Sequence, residues 1–201
     1  MIELVVATRN RHKTREIQQS LGPDFRVCDL GAYPEISEID ESGTSFEENA
    51  KLKAVAASKQ LPTLVIADDS GLEVDALDGA PGIYSARYAG ANATDRDKID
   101  KLLRELARVG ATQDARRARF RCVAAIARNG SLLGTFEGIV EGSIADEVRG
   151  DSGFGYDPIF VPDGSDQTFG ELPTEVKNTI SHRGKAIRAL ADRLRQLEFN
   201  D

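Results

Sequence analysis

Four consecutive apolar residues, Leu64-Val65-Ile66-Ala67, run directly into two adjacent acids, Asp68 and Asp69, and this junction constrains the fold more than any other segment. A run so short and so rich in β-branched residues suits a strand buried on both faces. Residues 2–7 have the same character. Between these two runs, residues 14–21 carry helical periodicity and stop at Gly22-Pro23, while residues 25–30 read as another strand. Ser45-Phe46-Glu47-Glu48 then matches a capping box opening a helix to Lys59. Strand, helix and strand in this order predict an α/β fold, a parallel or mixed sheet with helices packed on it. The acids are expected to end the strand at Ala67.

The second half is organised differently. Residues 79–90 form a loop rich in Gly, Pro and Tyr, and Thr94 is placed to cap a helix over 95–109. Asn129-Gly130 between the segments 120–128 and 132–140 predicts a hairpin with a type I′ turn. Residues 150–158 read as loop and Thr174 as the cap of a short helix. Ala186, Leu190, Leu194 and Leu197 give a closing amphipathic helix over 182–197. No repeat or linker interrupts the chain, so a single domain over 1–201 is expected, with any two lobes sharing one sheet.

The formal net charge of −7 argues against a nucleic-acid binder. One cluster runs the other way, Arg116-Arg117-Ala118-Arg119-Phe120-Arg121, and reads as a strand with alternate positions solvated. No apolar run reaches membrane-spanning length. The first residues carry an early acid and no basic region, so no signal peptide and a cytoplasmic location are expected. Cys28 and Cys122 are read as small core residues, with a disulfide left open, and two histidines support zinc poorly. Any metal is expected to be a hard, oxygen-liganded ion such as Mg²⁺.

Four segments have polar content suited to chemistry. Thr8-Arg9-Asn10-Arg11-His12-Lys13 lies between a buried strand and a helix, where unpaired N–H groups and a positive dipole end suit phosphate, although a solvated capping turn would look alike. Asp68-Asp69-Ser70-Gly71 is either an Asp-capped turn or a site where a cation compensates paired acids. Glu38, Asp40 and Glu41 share a polar loop before the helix bearing Lys51 and Lys53, and Glu41 is a loose candidate ligand. Gly153-Phe154-Gly155-Tyr156-Asp157-Pro158 is either a packed corner or a stacking surface for a base. Downstream of Lys177, Ser181-His182-Arg183-Gly184-Lys185 puts cations at a helix start, against the dipole, a conflict that an anion would remove.

In this order the segments resemble the inosine/xanthosine triphosphate pyrophosphatases, which act on non-canonical purine nucleoside triphosphates. The resemblance rests on Thr8-x-Asn10-x-x-Lys13, Glu41-x-Gly43-x-Ser45-Phe46-x-Glu48-Asn49-Ala50 with Lys53, and Ala67-Asp68-Asp69-Ser70-Gly71-Leu72. It continues through Pro81-Gly82-Ile83-Tyr84-Ser85-Ala86-Arg87-Tyr88, residues 153–158 and Ser181-His182-Arg183-Gly184-Lys185-Ala186. It implies an elongated mixed sheet flanked by helices, two lobes around a central substrate cleft, a homodimer, and cleavage of ITP, dITP or XTP between the α and β phosphates. It further implies that Asp69 is the catalytic carboxylate and a Mg²⁺ ligand together with Glu41. The turn from Thr8 through Lys13, with Lys53 and Ser70, would contact phosphate. Phe154, Gly155, Tyr156, Asp157, Lys177, His182 and Arg183 would hold purine and ribose.

Two positions depart from the family pattern. Gly is common where Arg9 stands, so Arg9 is expected to reach phosphate by its side chain, and His12 is given no catalytic part. Two alternatives are carried forward. One is a Maf-like pyrophosphatase for modified pyrimidine triphosphates, although the serine- and proline-rich arginine pattern expected of that turn is missing. The other is a nucleotide-binding or single-strand-binding module built on Phe154, Tyr156 and the arginine cluster, which the acidic balance opposes.

Overall fold

A computed structural model describes residues 2–37 and 39–198, except for the side chains of 113, 197 and 198. Glu38 and the Leu197 side chain therefore lie outside the described residues. In chain order the strands are β1 (Ile2–Val6), β2 (Phe25–Asp29), β3 (Leu64–Val74), β4 (Arg117–Arg128), β5 (Ser131–Ile144) and β6 (Phe160–Pro162). The helices are α1 (Arg11–Leu21), α2 (Phe46–Ser58), α3 (Asp95–Arg108), α4 (Thr174–Ile180) and α5 (His182–Glu198). One sheet runs in the order β2-β1-β3-β4-β5-β6. β1 pairs in parallel with both β2 and β3, and β5 pairs antiparallel with β6, so the sheet is mixed. β4 and β5 meet at Asn129-Gly130, both with positive φ (51° and 77°), as a type I′ turn requires.

The chain forms two compact units. The first takes residues up to 69, 122–138 and from 182 onward; the second takes 70–121 and 139–181. In the first, Leu4, Val6, Ile66, Cys122, Ala124 and Ile126 line one sheet face and pack against Ile17 and Leu21 of α1 and Ile187, Leu190 and Leu194 of α5. Alternation turns Val5, Val65 and Ala67 to the other face, where they are equally buried. In the second unit Phe120, Phe160 and Phe169 pack as an aromatic cluster, with ring centroids 4.7 and 5.2 Å apart along the chain of contacts. Tyr156, Leu102 and Leu106 join the same core.

Three expectations need correction. β3 does not stop at Ala67; it continues through both acids to Val74. Pairing of each acid with cations, described below, is what permits this. At Ser45 the capping box is half formed. The Ser45 hydroxyl accepts from Glu48 N–H at 3.2 Å, but the Glu48 carboxylate turns to the N–H and hydroxyl of Thr44. Pro173, not Thr174, occupies the cap position of α4, and no side chain caps it.

The arginine cluster follows the alternation read from the sequence. Ala118, Phe120 and Cys122 are buried. Arg117 forms a double hydrogen bond with Asp163, and Arg119 pairs with Asp75 and Glu141. Both cysteines are free thiols, and no helix among the described residues is long and apolar enough to cross a membrane.

Candidate active site

The turn after β1 is built to start a helix. Thr8 Oγ1 accepts from Asn10 N–H at 3.1 Å, and Asn10 Oδ1 accepts from the N–H groups of His12 (2.9 Å) and Lys13 (3.4 Å). The first turn of α1 contains no acid, while Arg11, His12 and Lys13 all fall within it. Dipole and side chains therefore add to one cationic helix end. Arg9 has a different use from the phosphate contact expected of it. Its guanidinium donates to the carbonyls of Leu30 (2.8 Å) and Ile36 (2.6 Å), tying the turn to the loop after β2.

Successive residues of a strand face opposite ways, so Asp68 and Asp69 meet different helices. Asp68, on the α1/α5 face, is 2 % exposed. Its Oδ2 lies 3.1 Å from Lys13 Nζ and accepts from Nε and Nη2 of Arg183, each at 3.2 Å. Arg183 is itself buried and also donates through Nη1 to Glu16 of α1. Burial alone would raise the pKa of Asp68. The ammonium of Lys13 and the guanidinium of Arg183, followed by Lys53, outweigh it and hold the carboxyl far below the usual carboxylate range. The cation at the start of α5 thus meets an anion, as the helix dipole required, and that anion belongs to the protein.

Asp69, on the other face, is reached from α2. Asn49 Nδ2 donates to Asp69 Oδ2 at 3.0 Å, and Lys53 Nζ stands 3.6 Å from Asp69 Oδ1 and 2.6 Å from Glu41 Oε1. Asn49 and Lys53 are four residues apart on α2 and so share a face. The Asn49 amide does double duty: its Oδ1 accepts from Gly43 N–H at 2.8 Å, fixing the loop that carries Glu41. Burial, reinforced by the Glu41 charge, raises the pKa of Asp69 against the opposing pull of Lys53. A carboxylate with raised proton affinity suits proton abstraction from water.

The donor set also fits a hard divalent cation. Glu41 and Asp69 offer carboxylate oxygens around a position that already accommodates the positive charge of Lys53. Among the described residues there is no cluster of three or more His, Cys, Asp or Glu arranged for a metal. Mg²⁺ commonly takes one or two carboxylates and completes its shell with water and substrate phosphate, so two acids suffice.

In the second unit, the loop over 153–158 divides the roles of its two aromatics. Tyr156 is the packed corner, 3 % exposed, with its hydroxyl donating to the Ser85 carbonyl at 3.0 Å. Phe154 is only half-buried, and Lys177 Nζ lies 5.2 Å from its ring centroid. Asp157 accepts from Phe154 N–H at 2.8 Å and from Lys177 Nζ at 2.6 Å. Gly155 N–H donates to Asp95 at 2.7 Å. Gly153 has φ of +79°, and a Cβ there would sit 2.1 Å from Asp157 Oδ2, so glycine is required for this turn. Ser70 follows Asp69 within β3 and is half-buried, and His182 opens α5 in a buried position.

From the sequence-derived set, the first unit therefore brings Lys13 and Arg183 together on Asp68, and Glu41 and Lys53 together with Asp69, while His182 adjoins Arg183 at the start of α5. Glu16 and Asn49 were not singled out as site residues, and Asp68 was read only as one of the acid pair. Asn49 left a readable signal, an amide in the first turn of a helix following the Glu41 loop, whereas the partners of Asp68 are too distant in the chain to be read.

Known proteins match this chain along nearly its whole length. The sequence profile of the Ham1 family matches residues 4–193. A dITP/XTP pyrophosphatase from Desulforamulus reducens is 48% identical over 197 residues, covering 98% of this chain and 97% of that protein. Another protein of that name, from Bacillus subtilis, is 47% identical, covering 95% and 96%. Among solved structures, a HAM1 protein from Coxiella burnetii superposes with a TM-score of 0.87 at 41% identity, covering 98% of this chain and all of that one. A nucleoside-triphosphatase / dITP/XTP pyrophosphatase from Mycobacterium abscessus gives a TM-score of 0.74 at 40% identity, covering 94% and 98%. With a paired-acid strand, a cationic helix start and a sequence match spanning both units, the chain belongs to the Ham1 family.

Proposed function

We propose that the protein hydrolyses purine nucleoside triphosphates with a 6-oxo base, ITP, dITP and XTP, to the monophosphate and pyrophosphate. The observation that carries this reading is the division of labour on β3: one buried acid fixes two cations, and its neighbour faces Glu41 across Lys53. The names of the relatives, which specify purine substrates, support the same chemistry and leave the Maf-like alternative without support.

Asp69 is assigned as the base that orients and deprotonates the attacking water. Thr8, Asn10, Arg11, His12, Lys13, Lys53 and Ser70 are assigned to the phosphates, with Arg9 acting through the shape of the turn. Glu41 and Asp69 would hold Mg²⁺, which when bound neutralises phosphate oxygens. Phe154 is assigned to stack on the base, with Gly155, Tyr156 and Asp157 forming its loop. Lys177, His182 and Arg183 are assigned to the 6-oxo edge and the ribose. Adenine presents an amino donor there, leaving a buried donor unpaired at about 1–3 kcal/mol per lost bond. A homodimer and a cytoplasmic location complete the proposal, the homodimer resting on resemblance.

Product analysis with ITP and ATP in parallel, with and without Mg²⁺, tests it. Pyrophosphate should form from ITP, in a Mg²⁺-dependent manner, with ATP turned over far more slowly. Orthophosphate as the sole product, or preference for a pyrimidine triphosphate, would overturn the assignment. Asp69→Asn should lose turnover while remaining folded and binding nucleotide; near-normal kcat in that variant removes Asp69 from catalysis.

A further inference from the structure

We propose that Lys53 is a built-in counter-cation of Glu41 and Asp69, and that its ammonium must leave Glu41 before a divalent cation can bind the two acids. The inference rests on the reading of Glu41 and Asp69 as metal ligands.

Lys53 is held from the middle of α2 with 9 % of its side chain exposed, its Nζ 2.6 Å from Glu41 Oε1 and 3.6 Å from Asp69 Oδ1. Two carboxylates flanking one ammonium, Asp69 with 8 % and Glu41 with 30 % of its side chain exposed, repel one another, and the ammonium between them offsets that repulsion. A divalent ion held by Glu41 and Asp69 would need carboxylate lone pairs that now face the Lys53 ammonium. It would compete with Lys53 for those lone pairs and repel its charge, so the two cations exclude each other at Glu41. The lysine stem is flexible, and Lys53 lies on the same side of the sheet as Asp69, so an arriving phosphate offers its ammonium a replacement anion. Nucleotide and metal then favour each other's binding through one side chain, a coupling that is reciprocal. Without nucleotide, apparent metal affinity is reduced by the small fraction of molecules in which Lys53 has left Glu41.

The test uses Mn²⁺ as probe, titrated by electron paramagnetic resonance into the full-length protein without nucleotide. Lys53→Met should bind Mn²⁺ about tenfold or more tightly than the unmodified protein, since the competing cation is gone. Its melting temperature should also rise more steeply with added Mn²⁺. Unchanged or weaker Mn²⁺ binding in folded Lys53→Met overturns the proposal. If that variant does not fold in chelator, Lys53→Gln, which keeps a polar donor without charge, replaces it: tighter Mn²⁺ binding supports the proposal and unchanged or weaker binding overturns it. A parallel titration with a non-hydrolysable ITP analogue separates the metal site from the role of the lysine. Mn²⁺ affinity unaffected by Glu41→Gln and Asp69→Asn removes the metal reading and this inference together. Affinity lost in those variants, without tightening in Lys53→Met, removes only the role of Lys53.

Discussion

Asp68 and Asp69 are chemically identical neighbours with opposite environments, and the difference comes from strand alternation. Asp68 neutralises Lys13 and Arg183, two cations brought from the first turns of α1 and α5. Removing one member of such a buried set strands the others in a poorly solvated site. Asp68→Ala is therefore expected to lose about 3–5 kcal/mol of stability, read as a lower midpoint in urea. Asp69→Asn keeps a polar group beside Asn49 and should lose far less. This asymmetry was not legible in the sequence. The acid pair stood out, but Arg183 lies 115 residues from Asp68 and 167 from Glu16, and no local pattern shows that they meet. Arg9 is a similar case: its charge suggested phosphate, while its contacts are two carbonyls 21 and 27 residues away.

Local chemistry made some elements readable and misled on others. The Asn129-Gly130 turn, the Thr94 cap and the β1–α1–β2 order were legible, because each depends on residues a few positions apart. The extent of β3 was not, since adjacent acids resemble a strand terminator unless the facing helices are known. Close approach between elements was equally hidden. A Cβ on Gly138 of β5 would fall 2.1 Å from the His182 carbonyl and 2.7 Å from Ala186 N, both in the first two turns of α5. Gly138→Ala should force that helix start away from the strand at a cost of about 1–3 kcal/mol. Because His182 and Arg183 lie there, the thermal destabilisation should be accompanied by a raised KM for ITP. Destabilisation with KM unchanged would mean that α5 recovers its position.

Across the whole molecule, the acidic surplus and the pairing of Arg117 and Arg119 with Asp163, Asp75 and Glu141 leave little reason for affinity to nucleic acid. Fluorescence polarisation with a labelled single-stranded oligonucleotide at about 0.15 M salt should show no binding, since a nucleic-acid binder presents an extended basic face and here the clustered arginines are matched by acids. That expectation already follows from composition, the net charge of −7. The boundaries of the two units were not legible in the sequence, because each unit is assembled from separated stretches of chain. The first unit closes its core only when Ala186, Ile187, Leu190, Ala191 and Leu194 dock on a sheet face begun at Leu4. On the ribosome, residues 70–121 and 139–181 emerge before that last helix does. A nascent chain arrested short of Arg183 carries Asp68 without its guanidinium partner, so the first unit stays incomplete, and this buried acid uncompensated, until that helix has been made.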